Sequence, residues 1–105
     1  MPSDNDRMTL TSSQNRYLRG LAHQTRAVIL LGAKGATAAV VKELDQALEH
    51  HELVKVKLSG GDKDEREAQV AALTGGTRAE AVHHIGHTVL LFRRNADTPK
   101  IALPR

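Results

Sequence analysis

Ala27-Val-Ile-Leu-Leu-Gly-Ala-Lys-Gly-Ala-Thr37 is the stretch whose reading decides the fold. Its first five residues form an unbroken apolar run. The run is short, β-branched at Val28 and Ile29, and ended by glycine, so it reads as a buried strand. Gly32-Ala33-Lys34-Gly35 follows as a loop, and Thr37 is placed to N-cap a helix. Two glycines let backbone approach a ligand closely. A helix start offers unpaired N–H groups and the positive end of the dipole, which suit phosphate. Lys34 adds a mobile charge at the tip.

Downstream, Val40, Val41, Leu44, Ala47 and Leu48 fall on one face at helical spacing, and His50-His51 close that helix. Leu53-Val-Lys-Val-Lys-Leu58 alternates, with Lys55 and Lys57 on the side opposite Val54, Val56 and Leu58. That pattern predicts a strand in a sheet with one solvated face, or an edge strand. Gly60-Gly61 breaks it. Asp62 or Asp64 then caps a third helix, with Ala68, Ala71, Ala72 and Leu73 as a thin apolar face and Gly75-Gly76 as its end. Residues 79–85 read as a weaker strand. Gly86-His87 is a tight connection, and residues 88–93 are a strong strand, so the two form a hairpin. Lys100 to Leu103 reads as a short edge strand or an arm.

Upstream, Thr11 and Gln14 have capping-box spacing. Tyr17, Leu18, Leu21 and Ala22 share the apolar face of a first helix ending near His23 or Gln24. Arg16 and Arg19 point away from that face. Residues 1–8 are expected to be a flexible N-terminal tail, ahead of one domain over 9–105. The order is αβαβαββ, an α/β chain. Its two strand–helix–strand units imply partly parallel pairing with right-handed crossovers.

The 105 residues carry 15 Lys and Arg against 12 Asp and Glu, a net charge of +3. The distribution says more than the total. From Arg7 to Lys42 there are six basic residues and no acid, whereas Glu43 to Glu80 holds nine acids. Acid-free basic surface is the footprint of a phosphate-bearing partner. The absence of cysteine excludes disulfides, thiolate metal sites and cysteine catalysis. No apolar run is long enough for a membrane-spanning helix, and the polar first seven residues lack a signal-peptide core. A cytoplasmic protein is expected.

The glycine turn is not a nucleotide-triphosphate loop, because that motif needs GxxxxGK[ST] and position 37 is Thr. It is not GxGxxG either. Two glycines spaced by two residues do clamp nucleotide backbone in one class of RNA-binding module. Tyr17 and Phe92 are the only aromatics, and both are assigned to the core, so base stacking has little to work with. Binding would then rest on backbone charge, through Lys34 and the turn, with Arg16, Arg19, Arg26, Lys55 and Lys57 extending the surface. His83 and His84 would point to opposite faces of a strand and do not chelate together. No metal site, cofactor or catalytic constellation is expected.

Leu18-Arg-Gly-Leu-Ala-His23, Val28-Ile-Leu-Leu-Gly-Ala-Lys-Gly35 and Ala47-Leu-Glu-His-His-Glu-Leu-Val-Lys-Val-Lys57 resemble the bacterial YhbY-type RNA-binding proteins, the stand-alone form of the CRM domain. Ile85 to Arg93 and Lys100 to Arg105 resemble that family's closing segments. The resemblance spans about residues 9–105. It implies a four-stranded mixed sheet like that of the C-terminal domain of translation initiation factor three. It also implies RNA binding through Gly32, Ala33, Lys34 and Gly35, basic positions at Arg16 and Arg19 beside that loop, and association with large-subunit ribosomal RNA or a pre-ribosomal particle. The alternative is a protein-interaction adaptor docking on a ribosomal protein or assembly factor, for which the charge excess is incidental. A small-molecule phosphate enzyme is the weakest expectation.

Overall fold

The computed structural model of the chain describes residues 10–95 and 97–104. The expected flexible tail over residues 1–8 lies outside them. The elements run α1 (Ser12–Leu21), β1 (Val28–Leu30), α2 (Ala38–His51), β2 (Leu53–Lys57), α3 (Lys63–Thr77), β3 (Glu80–Ile85) and β4 (Thr88–Phe92). The order is the αβαβαββ expected from the sequence. Each helix starts on a side-chain cap. Thr11 and Gln14 close a reciprocal capping box at α1, Thr37 accepts from Val40 N at α2, and Asp62 accepts from Glu65 N at α3. These caps satisfy N–H groups that have no partner inside a helix.

The strands form one mixed sheet in the order β1-β2-β4-β3. β1 runs parallel to β2, while β4 is antiparallel to both of its neighbours. The second strand–helix–strand unit therefore does not close on itself. β3 is parallel to β2, but β4 is inserted between them. Directly paired residues share a face, so the register sorts the side chains. Ile29, Val54, Val56, Leu58, Val89 and Leu91 face α2 and α3, and pack on Leu44, Leu48 and Leu73. On the other face Leu53, Leu90 and Phe92 are covered by Leu18 of α1. Leu18 is fully buried. Burying one leucine contributes about 2 kcal/mol, so a single side chain supplies much of what holds α1 down.

Several details differ from the sequence reading, each for a packing reason. From sequence the run at Ala27 reads as a buried strand. Instead β1 is an edge strand whose Val28 and Leu30 are 45% and 68% exposed, because α1 does not reach across it. Tyr17, assigned to the core, is 42% exposed. The α3 face is also shifted. Leu73 and Thr77 are buried with Val70 beside them, and Ala68, Ala71 and Ala72 face solvent. Gly75-Gly76 does not end α3, which runs on to Thr77 and stops at Arg78 with φ +64°. A Cβ on Gly76 would lie 2.7 Å from Cγ1 of Val41, so this glycine serves close approach between α2 and α3. Nothing lies within 4 Å of the corresponding position on Gly75.

The tail after β4 is neither strand nor free arm. Glu52 follows α2 with φ +63° and is fully buried. Its carboxylate accepts three backbone N–H groups, from Asn95 at 2.6 Å, Lys100 at 2.8 Å and Ile101 at 2.7 Å. Ile101 and Leu103 then pack against the Leu18 cluster. Glu52 is thus a carboxylate held in the interior by backbone amides.

Three substitutions test these contacts. Gly75→Ala should stabilise the fold by up to about 1 kcal/mol of helix propensity, seen as a higher melting temperature. Gly76→Ala should lower it, because overpacking costs about 1–3 kcal/mol against the same gain. Glu52→Gln should cost about 2–3 kcal/mol, since the amide keeps only one acceptor oxygen for three donors. Amide hydrogen exchange should show Lys100 and Ile101 losing protection before the sheet does.

Candidate nucleic-acid interface

The glycine turn leaves the C-terminal end of β1. Leu31 N donates to Lys57 O at 2.9 Å and fixes the stem to β2. Gly35 N donates back to Gly32 O at 2.9 Å, and Thr37 N donates to Gly35 O at 3.0 Å. Gly35 is buried with φ +74°. A Cβ there would stand 3.0 Å from Gln69 Nε2, whereas nothing lies within 4 Å of the same position on Gly32. The glycines thus differ in role: Gly35 is required by backbone and packing, and Gly32 leaves open space.

Ala33 and Lys34 are exposed at the tip. Among the described residues no carboxylate pairs with Lys34. Behind the tip, Thr37 Oγ1 takes the N–H of Val40 at 3.2 Å, and Val41 N donates to Thr37 O. Among the described residues, the N–H groups of Ala38 and Ala39, the first two helical residues, make no backbone hydrogen bond outside the helix, and both residues are exposed. An ammonium and two free amides at a helix start suit an anion.

Two other loops meet this end of the sheet. Gln69 of α3 accepts at Oε1 from Ser59 N and Gly60 N, each at 3.1 Å, and donates from Nε2 to Ser59 Oγ at 3.0 Å. Its side chain therefore braces the β2–α3 loop while standing against Gly35. Arg66, one turn earlier, reaches Gly60 O and His87 Nε2, both at 3.4 Å. Arg66 and His87 were not among the residues expected from sequence. They lie in an acid-rich helix and a hairpin, and nothing in their spacing ties them to residues 32–35.

The remaining predicted cations are distributed along one face. Lys57 pairs with Leu30, and Lys55 with Val28. Across β4 the same rows continue through Thr88 to Ile85, and through Leu90 to His83. This face is solvated beyond α1, and Leu30 and Ile85 are 68% and 64% exposed on it. Arg16 and Arg19 are exposed on α1, a helix anchored by Leu18 over Leu53 and Phe92, at the end of the sheet away from the glycine turn. Arg26 precedes β1 at that same end, about 20 Å of extended chain from Gly32. The structure thus ties Lys57 directly to the stem of the turn, and places Arg26 at the opposite end of β1 from it. Glu43, Asp45 and Glu49 are exposed on α2, against the other face. Arg93 is committed there, bonding Asp45 Oδ1 at 2.6 Å, Glu49 Oε1 at 3.1 Å and Thr77 O at 2.8 Å.

Residues 10–93 match the CRS1 / YhbY (CRM) domain, and the chain belongs to that family. It is 41% identical over 97 residues to an "RNA-binding protein" of Haemophilus influenzae, covering 92% of this chain and 97% of that one. It is 32% identical over 95 residues to the "Probable RNA-binding protein YqeI" of Bacillus subtilis, covering 90% and 99%. Among solved structures, the hypothetical protein SAV1595 of Staphylococcus aureus superposes with a TM-score of 0.76 at 33% identity, covering 91% of this chain and all of that one.

The unequal roles of the two glycines are testable by chemical denaturation. Gly35→Ala should cost about 1–2 kcal/mol, the penalty for a side chain in the left-handed region, with the Gln69 contact adding to it. Gly32→Ala should stay within about 0.5 kcal/mol of the parent.

Proposed function

We propose that this protein is a non-enzymatic RNA-binding module of the cytoplasm, acting on large-subunit ribosomal RNA during subunit assembly. The observation that carries the reading is the turn itself. Lys34 stands exposed and unpaired at its tip, ahead of the free N–H groups of Ala38 and Ala39. Such an arrangement takes phosphate oxygen without reading base identity. The open face carrying Lys55 and Lys57 lengthens the cationic surface away from the turn, and the acids of α2 lie against the other face. Relatives of similar length are named as RNA-binding proteins, which supports RNA as the anion. The large-subunit assignment rests on the resemblance of residues 9–105 to YhbY-type proteins.

Lys34→Ala should weaken binding to fragments of large-subunit ribosomal RNA about equally across sequences. It should also reduce the slope of log affinity against log salt by about 1. Filter binding over a salt series measures both. Unchanged affinity and slope in the variant would remove the turn as the site. Equal affinity of the parent for small-subunit RNA would remove the large-subunit assignment.

A further inference from the structure

At the opposite end of β1 from the glycine turn lies an open cleft of about 500 Å³. Tyr17, Arg26, His51, Lys100 and Ile101 line it, and no carboxylate does. Four separate segments bring these side chains together, and each is fixed. Thr25 Oγ1 donates to Leu53 O at 3.1 Å, and Lys55 N to Ala27 O at 2.9 Å, which holds the segment bearing Arg26 against β2. The Glu52 carboxylate holds the backbone N–H groups of Lys100 and Ile101. Tyr17 projects from α1, and His51 ends α2. Among the described residues neither Arg26 nor Lys100 is engaged in an ion pair.

We propose that this cleft is a second nucleotide-binding site, and that the protein holds single-stranded RNA at two points. The base lies against the Tyr17 ring, and its phosphate lies between Arg26 and Lys100. The proposal rests on the RNA-binding reading and names the form of RNA. Three cationic or titratable side chains around an exposed aromatic, with no acid, complement a group that is anionic at one end and flat and apolar at the other. The register connects the cleft to the turn. From Arg26 and Leu53 the face continues through Val28 and Lys55, then Leu30 and Lys57, to Gly32. After Arg26 the polar positions on that path are Lys55 and Lys57, paired with the apolar Val28 and Leu30. The path is about 20 Å long, comparable to the span of a short single strand on other small RNA-binding modules. A duplex would offer this face only its phosphates and leave the ring without a base to stack on.

Binding of a mixed-sequence single-stranded RNA of about 12 nucleotides, and of the same sequence as a duplex, tests the idea by fluorescence anisotropy. Tyr17→Leu should weaken single-strand binding at least about five-fold, the lower end of base–aromatic stacking. Tyr17→Phe should retain the affinity, and duplex binding should be unaffected by either. Arg26→Ala should weaken single-strand binding and lower its salt slope by about 0.7. Both positions are exposed, and unchanged melting curves would confirm that the variants fold. If Lys34→Ala weakens binding but Tyr17→Leu and Arg26→Ala do not, the cleft is not a site and the RNA reading stands. A loss at Tyr17 that is equal for duplex and single strand overturns the single-strand assignment. If the parent binds fragments of large-subunit ribosomal RNA but not the short single strand, the cleft proposal fails and the RNA reading stands. If it binds no RNA of any of these forms, the RNA reading fails and the cleft falls with it.

Discussion

The fold closes on a buried carboxylate. Glu52 sits between α2 and β2, where the chain must turn from helix to strand within one residue, and it adopts φ +63° to do so. Its backbone N–H completes the helix by donating to Leu48 O at 2.8 Å, and its carbonyl accepts from Arg93 N at 2.9 Å as β4 leaves the sheet. Its side chain takes three more N–H groups from the tail. A buried charge without partners is costly. Here, among the described residues, the partners are amide dipoles rather than a cation. A neutral replacement therefore loses acceptors without any compensating release of an ion pair. Through this one residue the end of α2, the start of β2, the exit of β4 and the tail are fixed together. The tail in turn covers the Leu18 cluster and presents Lys100 to the cleft.

The sheet divides the charge. One face is filled by α2 and α3, whose outer surfaces carry most of the acids. Arg93 is spent there on Asp45 and Glu49. The other face is only part-covered, because α1 packs through Leu18 and Leu21 on the Leu53–Phe92 end. What α1 leaves open is a strip of lysines and apolar side chains with the glycine turn at one end and the Tyr17 cleft at the other. Among the described residues, Lys55 and Lys57 on this strip lie across the sheet from the acids of α2, which serves an anionic partner better than the total charge of +3 suggests. The interaction between glycine and neighbour is also one-sided. Gly35 and Gly76 each admit another side chain where a Cβ would collide, while Gly32 and Gly75 leave space.

Much of the architecture was legible because it is written in local chemistry. Thr11 with Gln14, Thr37 and Asp62 marked the helix starts, since a cap needs only a side-chain oxygen at a fixed spacing. The alternation of Val54, Lys55, Val56, Lys57 and Leu58 gave the strand and its half-solvated face. Gly86-His87 between two apolar runs gave the hairpin, and Gly86 has φ +55°. The turn at Gly32 to Gly35 was legible as a loop before a helix. Its bracing by Gln69, and the approach of Arg66 and His87, were not, because those residues are distant in sequence and carry no motif.

The chain by itself determined element order, caps, strand faces and the segregation of basic residues toward its first two-fifths, all set by neighbours within a few positions. Only the tertiary structure decided which apolar side chains were covered. Tyr17, Val28 and Leu30 have the composition of core, and they are exposed because one short helix cannot span a four-stranded sheet. Glu52 has the composition of surface, and it is buried because the tail folds back and supplies N–H groups from more than 40 residues away. Whether a residue faces water depends on what the rest of the chain lays over it, and spacing along the sequence does not contain that.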